Sequence, residues 1–194
     1  MFGLNLPKYV AVIGYPTAGK DTVGKALKEL YYYNPLDDGA PIREVCQLLF
    51  GWSIEQQRDI DFKNSLVTVP GYSEPVTVRR VQHDTGRMLE RQYGDNIMPI
   101  TAMNRTRDTT FHYVATSVRM KQGWCWRENG ALVIEVTRDG AVWDGTESEN
   151  YDQACAHAFI HNTYDGTNAE AAYNKLRGDV IETMRAWSLG LLVD

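Results

Sequence analysis

Residues 14–22 read G-Y-P-T-A-G-K-D-T and follow directly on the apolar run Y-V-A-V-I at 9–13. The order is strand, glycine loop, helix. Gly14 and Gly19 lie five apart with Lys20 after the second, which is phosphate-loop spacing, because backbone N–H groups can curl round a polyphosphate only where no side chain intervenes. Lys20 would reach the β- and γ-phosphates of a bound nucleotide. Behind the loop, Val23, Ala26, Leu27 and Leu30 recur at i, i+3, i+4 and i+7, so a helix starts here and turns its positive end toward the anion. The candidate nucleotide-binding set is Gly14, Thr17, Ala18, Gly19, Lys20, Asp21 and Thr22. A chance glycine turn with a solvated lysine would leave the flanking strand and helix unexplained.

One departure narrows the class. Phosphate loops commonly place Ser or Thr directly after the lysine to ligate magnesium, whereas here that position is Asp21 and the hydroxyl comes one later, at Thr22. Thr22, with Asp21 acting through water, is the candidate metal pair, and Asp21 also suits the first turn of a helix. This G-K-x-T form resembles the loop of nucleoside monophosphate kinases, in which the residue after the lysine need not carry a hydroxyl.

The 194 residues suit one α/β domain able to bury a real core, perhaps with room for an inserted lid but not for two full domains. Cys46, Cys125 and Cys155 are three in number and lack metal-type spacing, so they read as buried or free thiols of a reducing compartment. The start M-F-G-L-N-L-P-K has neither a basic leader nor a sustained apolar stretch, and no later run approaches the ~18 apolar residues of a membrane span. A cytoplasmic protein without membrane attachment is expected.

The net charge of −5 argues against a nucleic-acid polymer as partner, but it conceals an uneven distribution. Residues 79–138 hold nine arginines and one lysine against six acidic residues, a local excess of +4. Arginine excess within an acidic chain suits small phosphorylated ligands, since guanidinium pairs bidentately with phosphate. Arginines scattered on solvated helix faces would account for about half of them on the ordinary behaviour of surface charge.

Along the rest of the chain, Y-Y-Y-N-P-L-D-D-G predicts a short strand and a loop. Pro41 and Gly51 bound a helix over 41–50, with Ile42, Val45, Cys46 and Leu49 on one face. Ser53 to Gln56 has capping-box form and opens a polar helix to about Lys63. Residues 67–75 read as a loop, and 77–93 as a helix whose stripe is Val78, Val81, Thr85, Met88 and Leu89, with Arg80, Arg87 and Arg91 on other faces. Strands are predicted at 112–118, 131–136 and 156–160, the first two leading into Arg119 and Arg138. Ligands of open parallel sheets lie beyond the carboxyl ends of strands, so Arg119 and Arg138 are candidate phosphate contacts, salt-bridged arginines being the alternative. Thr167 to Glu170 would cap a last helix with Ala172, Tyr173, Leu176, Val180, Met184 and Trp187 inward. His157 and His161 alternate as on a strand and carry no metal expectation. Trp124 and Trp126 read as core.

With these residues in hand, the chain resembles the deoxynucleoside monophosphate kinases of tailed bacteriophages. The matching segments are G-K-D-T; P-I-R-E-V-C-Q-L-L-F-G with the polar helix after it; R-R-V-Q-H-D-T-G-R-M-L-E-R-Q-Y-G-D at 79–95; V-A-T-S-V-R; V-I-E-V-T-R with E-S-E at 147–149; and I-H-N-T-Y-D-G-T. Departures are Ser117, where that family often has aspartate, and M-K-Q in place of an Asn-Glu pair. The resemblance implies a P-loop kinase fold: a three-layer α/β domain over 1–194 with a central parallel five-stranded sheet, a substrate-binding insert at about 36–95 and a lid at about 138–155. It implies ATP as phosphoryl donor with Mg²⁺, a deoxynucleoside monophosphate as acceptor, and a homodimer as a candidate assembly, in host cytoplasm if phage-encoded. Lys20, Arg119 and Arg138 would be catalytic, and Arg43, Arg79, Gln82, Arg91 and Glu149 would bind substrate.

Phosphoryl transfer fits this set, since positioning and charge neutralisation carry it and an ionised phosphate oxygen needs no general base. Stacking planes for a base are available at Tyr31, Tyr32, Tyr33, Trp52, Tyr72 and Trp143. Three alternatives stand beside this reading. A hydrolytic NTPase would need an apolar strand ending in aspartate, which neither arginine-ending strand supplies. A kinase for another phosphorylated small molecule, such as dephospho-coenzyme A, and a non-catalytic nucleotide-binding module are the others.

Overall fold

The computed structural model describes residues 4–119, 121–143 and 150–192. The chain divides into two compact units, residues 1–37 with 106–194, and residues 38–105. Among the described residues no helix is long and apolar enough to cross a membrane.

In the first unit, five strands form one parallel sheet: β1 (Tyr9–Ile13), β2 (Asn34–Pro35), β5 (Tyr113–Ala115), β6 (Leu132–Arg138) and β7 (Ala158–Asn162), in the order β2-β5-β1-β6-β7. Helices cover both faces, which is why β1 reads as an unbroken apolar run rather than an alternating one. On one face Val10, Val12, Leu132, Ile134, Val136 and Ile160 pack against Val23, Ala26 and Leu27 of α1 (Lys20–Tyr31) and Leu176, Val180 and Met184 of α8 (Ala169–Ser188). On the other lies α7 (Gln122–Glu128), whose fully buried Trp126 meets the Tyr9 ring at 5.7 Å.

Some local expectations are corrected here. The tyrosine run does not form the second strand: Tyr31 ends α1, and Tyr32 leaves it in the left-handed region at φ 60°, so that pairing begins only at Asn34. The strand expected at 112–118 pairs only over Tyr113–Ala115, after which Thr116 turns toward α1. The last helix is capped by Asn168, whose side chain accepts from the Ala171 amide. Thr167 is not available for that role because its hydroxyl donates to Asp165 Oδ1 at 2.6 Å. The three cysteines are buried free thiols.

The second unit consists of α2 (Ala40–Phe50), α3 (Ile54–Arg58), α4 (Ile60–Asn64), the antiparallel pair β3 (Leu66–Val67) and β4 (Val76–Thr77), α5 (Val78–Tyr93) and most of α6 (Ile97–Thr106). The capping box at Ser53 and Gln56 forms in both directions. The single polar helix expected from it is two, because Asp59 takes an extended conformation; its amide closes α3 on Glu55 and Gln56, and its carboxylate caps α4 at Phe62. Cys46 is inward on α2, but Leu49 is exposed, as is Met88 on α5. The interior here is small and partly polar: Cys46, Gln57, Val69, Val78, Val81, Thr85, Met98 and Ala102. Gly86 lets α5 approach α2 closely, since a Cβ there would stand 3.0 Å from Ile42 Cδ1.

Candidate functional site

Local chemistry shapes the turn after β1. Gly14 has φ 147°, and a Cβ on it would collide with the Val136 carbonyl oxygen of the neighbouring strand. Gly19 has φ 110°, and a Cβ on it would collide with the Asn162 side-chain amide. Both positions therefore require glycine on two independent counts, backbone conformation and space. Between them Thr17, at φ 64°, is a β-branched residue held in the left-handed region, the strain expected of a functional loop. The Lys20 ammonium folds back over the loop and donates to the carbonyls of Gly14 at 2.6 Å and Tyr15 at 3.1 Å. The cation is thereby held across the mouth of the turn. The amides of Thr22 and Val23 bond to Gly19, so α1 begins directly behind the loop and its unpaired N-terminal donors face the same way.

Asn162, at the end of β7, clamps this loop from the side: its Nδ2 donates to the Ala18 carbonyl at 3.0 Å while its Oδ1 accepts from the Tyr164 amide. The sequence shows it only as an asparagine in a turn. A second residue that pattern reading passes over is Glu135. It sits inside the apolar run of β6, opposite Ile13 in register, and is 1% exposed. Its Oε1 accepts from the Tyr151 hydroxyl at 2.8 Å and from Gln153 Nε2 at 2.7 Å, and Tyr151 packs its ring 4.9 Å from that of Tyr15 in the loop. Burial, followed by the Glu135 carboxylate, raises the Tyr151 phenol well above its ordinary value. Its signal in sequence was one acid within V-I-E-V.

Arg138 is the last residue of β6, half-buried, and lies opposite Asn162 in the β6–β7 register. Arg119 is exposed, four residues past β5, with its amide donating to Gln122 Oε1 at 3.4 Å. Loop, Lys20, Arg119 and Arg138 thus all belong to the carboxyl ends of parallel strands, where open α/β sheets bind ligands. Asp21 accepts from the Thr116 hydroxyl at 2.7 Å, which holds the first turn of α1 to the end of β5.

A phosphate loop implies a divalent cation. Among the described residues no group of three or more histidine, cysteine or acidic side chains gathers to hold one. A magnesium ion shared with phosphates needs only one or two protein oxygens, and the loop region supplies hard oxygens at Thr22 and Asp21. Glu135 Oε2 is in addition a buried carboxylate oxygen without a hydrogen-bond partner. The donor chemistry fits.

In the second unit, Arg79 and Gln82 share one flank of α5, and Arg79 reaches Asn64 Oδ1 at 3.5 Å. Gln82 donates to Gln57, and Arg91 is exposed one helical turn before Gly94. Arg43 lies on α2 with its guanidinium over Gly39. Tyr72, a candidate stacking plane, is bonded through its hydroxyl to Asp84, which also takes Arg80. Burial pushes the Asp84 carboxyl up, but the hydrogen bonds from Tyr72, Arg80 and His83 outweigh it and hold the group below the usual carboxylate range. Glu149 and the E-S-E segment at 147–149 lie outside the described residues.

The fold class is α/β: a three-layer P-loop kinase fold around a central parallel five-stranded sheet, defined by the strand order and the glycine loop behind β1. No protein-family model matches the chain, and no curated protein matches it. Among solved structures, the chain is similar to the dephospho-CoA kinase from Campylobacter jejuni, with 11% identity and a TM-score of 0.48 over 95% of this chain and 98% of that one.

Proposed function

We propose that the chain is a phosphotransferase that uses ATP and Mg²⁺ to phosphorylate deoxynucleoside 5′-monophosphates to diphosphates. The observation that carries the reading is the loop at 14–19: two glycine positions that exclude any side chain, with the Lys20 ammonium held over the same turn. Backbone amides and one cation converging on a turn at a helix N-terminus suit a polyphosphate.

In this reading, the amides of Gly14, Thr17, Ala18 and Gly19 hold the donor phosphates and Lys20 neutralises charge on the transferring group. Thr22, with Asp21, would hold the magnesium ion, which supplies charge neutralisation on the phosphate oxygens. Arg119 and Arg138 stabilise the charge that spreads over the equatorial oxygens, where a guanidinium fork is worth more than a point charge. Arg43, Arg79, Gln82 and Arg91, with Glu149, bind the acceptor. The attacking phosphate oxygen is already ionised at neutral pH, so no general base is assigned. The preference for a deoxyribose acceptor rests on the resemblance to the phage enzymes, and rejecting one added hydroxyl by fit is worth only ~1–3 kcal/mol, so ribonucleotides should be poorer acceptors rather than inert ones.

A panel of deoxy- and ribonucleoside monophosphates, with dephospho-coenzyme A included, incubated with ATP labelled at the γ-phosphate and Mg²⁺, tests the reading. Labelled deoxynucleoside diphosphates are expected, with dTMP and dGMP leading. Equal use of ribo and deoxy partners removes the sugar preference; label in dephospho-coenzyme A alone moves the acceptor class. Release of free phosphate regardless of acceptor points to a hydrolase, and no transfer at all to a nucleotide-binding module.

A further inference from the structure

Gln57 is fully buried, in a unit that has little apolar interior, and its amide is saturated. Its Nε2 donates to two backbone carbonyls, Arg43 at 2.8 Å and Trp52 at 3.0 Å. A carbonyl can only accept, so the nitrogen end of the Gln57 amide must face these two groups and its oxygen must face away. That oxygen meets Gln82 of α5: Gln82 Nε2 lies 3.2 Å from Gln57 Oε1 and 3.3 Å from the Gln57 backbone carbonyl. Both partners of Gln82 are acceptors, so its amide is oriented as well, with the nitrogen committed to Gln57. The orientation follows from three backbone carbonyls, which leave no choice of amide flip. What Gln82 has left to offer, on a half-buried flank of α5, is one carbonyl oxygen.

The same relay touches an aromatic surface. The Trp52 carbonyl is one of the groups that fix Gln57, and the Trp52 ring stands 4.8 Å from Phe50 and 5.9 Å from Phe62, all three half-buried. Aromatic faces of this kind stack any base, whereas hydrogen bonding at the base edge tells bases apart.

We propose that Gln57 is a specificity-determining positioning residue: by binding both hydrogens of the Gln82 amide it turns Gln82 into an acceptor only, so the acceptor site takes nucleobases whose central Watson–Crick atom is an N–H. Thymine, uracil, guanine and hypoxanthine present that N–H; cytosine and adenine present a lone pair there and meet the Gln82 oxygen with repulsion. A paired donor–acceptor contact of Gln82 with adenine is excluded, because the donor half is already spent on Gln57. The inference rests on the monophosphate-kinase reading and deepens it.

Equilibrium binding by calorimetry tests it without relying on turnover, with dTMP, dGMP, dIMP, dCMP and dAMP as probes and deoxyribose 5-phosphate as the reference that lacks a base. The wild-type chain is expected to bind dTMP, dGMP and dIMP at least about tenfold more tightly than dCMP and dAMP, the size of one hydrogen bond exchanged for a repulsive contact. dIMP separates the ring N–H from the exocyclic amino group of guanine. In Gln57→Met, close in shape but unable to hold Gln82, the ratio of dTMP to dCMP affinity should fall below about threefold, since a freed amide can turn either end to the base. Gln82→Leu, on the partly exposed flank, should lose the ratio as well, and it keeps the test decisive if Gln57→Met does not fold. A residue that merely supports the fold would weaken all five probes together and leave the ratio intact. Equal wild-type affinity for dTMP and dCMP overturns the inference while leaving the kinase reading in place, as does an unchanged ratio in the folded variants. Failure of the wild-type chain to bind any monophosphate overturns both.

Discussion

The phosphate loop and helix α5 present their candidate ligand groups in opposite ways. In the loop the groups are backbone amides, shaped by Gly14 and Gly19 and braced by Val136 and Asn162 of neighbouring strands. On α5 they are side chains, with Arg79 and Arg91 exposed and Gln82 aimed only by Gln57. A backbone cradle tolerates most side-chain exchanges nearby but not one added methyl; a side-chain set tolerates backbone neighbours but not a changed functional group. The parallel sheet explains why the first solution is available in one unit and absent from the other. Only strands with both faces covered can hold a strained turn against relaxation, and the second unit has short helices around a partly polar interior instead.

The largest effect that would break this contrast is at Lys20, the one loop residue expected to act through its side chain. Lys20→Met should lower turnover at least about 100-fold, the loss of one charged stabiliser of the transferring group, with the melting temperature nearly unchanged. Steady-state rates close to wild type would dissolve the loop assignment.

Next comes the backbone itself. Gly14→Ala should destabilise the fold by about 2–4 kcal/mol, because the new Cβ meets a backbone carbonyl and the φ is unfavourable for any L side chain. Thr17→Gly in the same turn should do the reverse, gaining up to about 1 kcal/mol as left-handed strain is relieved against the flexibility of glycine. Denaturant melts of both variants decide; a neutral Gly14→Ala would mean the cradle is not braced as described.

A smaller change sharpens the role of the arginines beside the loop. Arg119→Lys and Arg138→Lys keep the charge and lose the fork, so kcat/KM should fall about tenfold in each, an effect that charge alone would not produce. Wild-type kinetics in both would make them structural residues.

The smallest effect separates the interiors of the two units by pH. Burial, and then the Asp152 charge, push the Cys155 thiol up to about 11 from an ordinary value of 9.0. Its folded pKa is raised, so the unfolded chain deprotonates first: the contribution is complete below pH 9 and is lost as pH climbs toward 11. Cys155→Ala should flatten that part of the stability curve. Cys46 of the second unit is also raised by burial, with Thr85 and Arg43 pulling it back, so Cys46→Ala should flatten the curve less. Equal slopes for both variants and wild type would count against the difference in surroundings.

Reading from sequence succeeded where the determinants are local. The strand at 9–13, the loop and α1 follow from apolar runs and glycine spacing, and the capping box at Ser53 follows from two side chains three residues apart. It failed on α6 and α7, where no clear stripe exists: α6 carries Pro99 in its first turn, and α7 carries Gly123, whose bare Cα is needed because a side chain would strike Cys155 Sγ. It placed one helix at 54–63 where Asp59, free to choose between closing one turn and capping the next, makes two.

The sequence by itself determined a glycine-built phosphate loop between a buried strand and a helix, with arginines following two further strands, because backbone conformation and side-chain periodicity are written within a few residues. Only the tertiary structure decided which polar groups complete the site. Asn162 reaches the Ala18 carbonyl from 144 residues away, Glu135 is buried behind the loop with an unpaired oxygen, and Gln82 is an acceptor because Gln57, 25 residues earlier, holds its donor. A hydrogen bond has a direction as well as a length. That direction is set by whichever partners the fold brings together, and no local pattern of residues contains it.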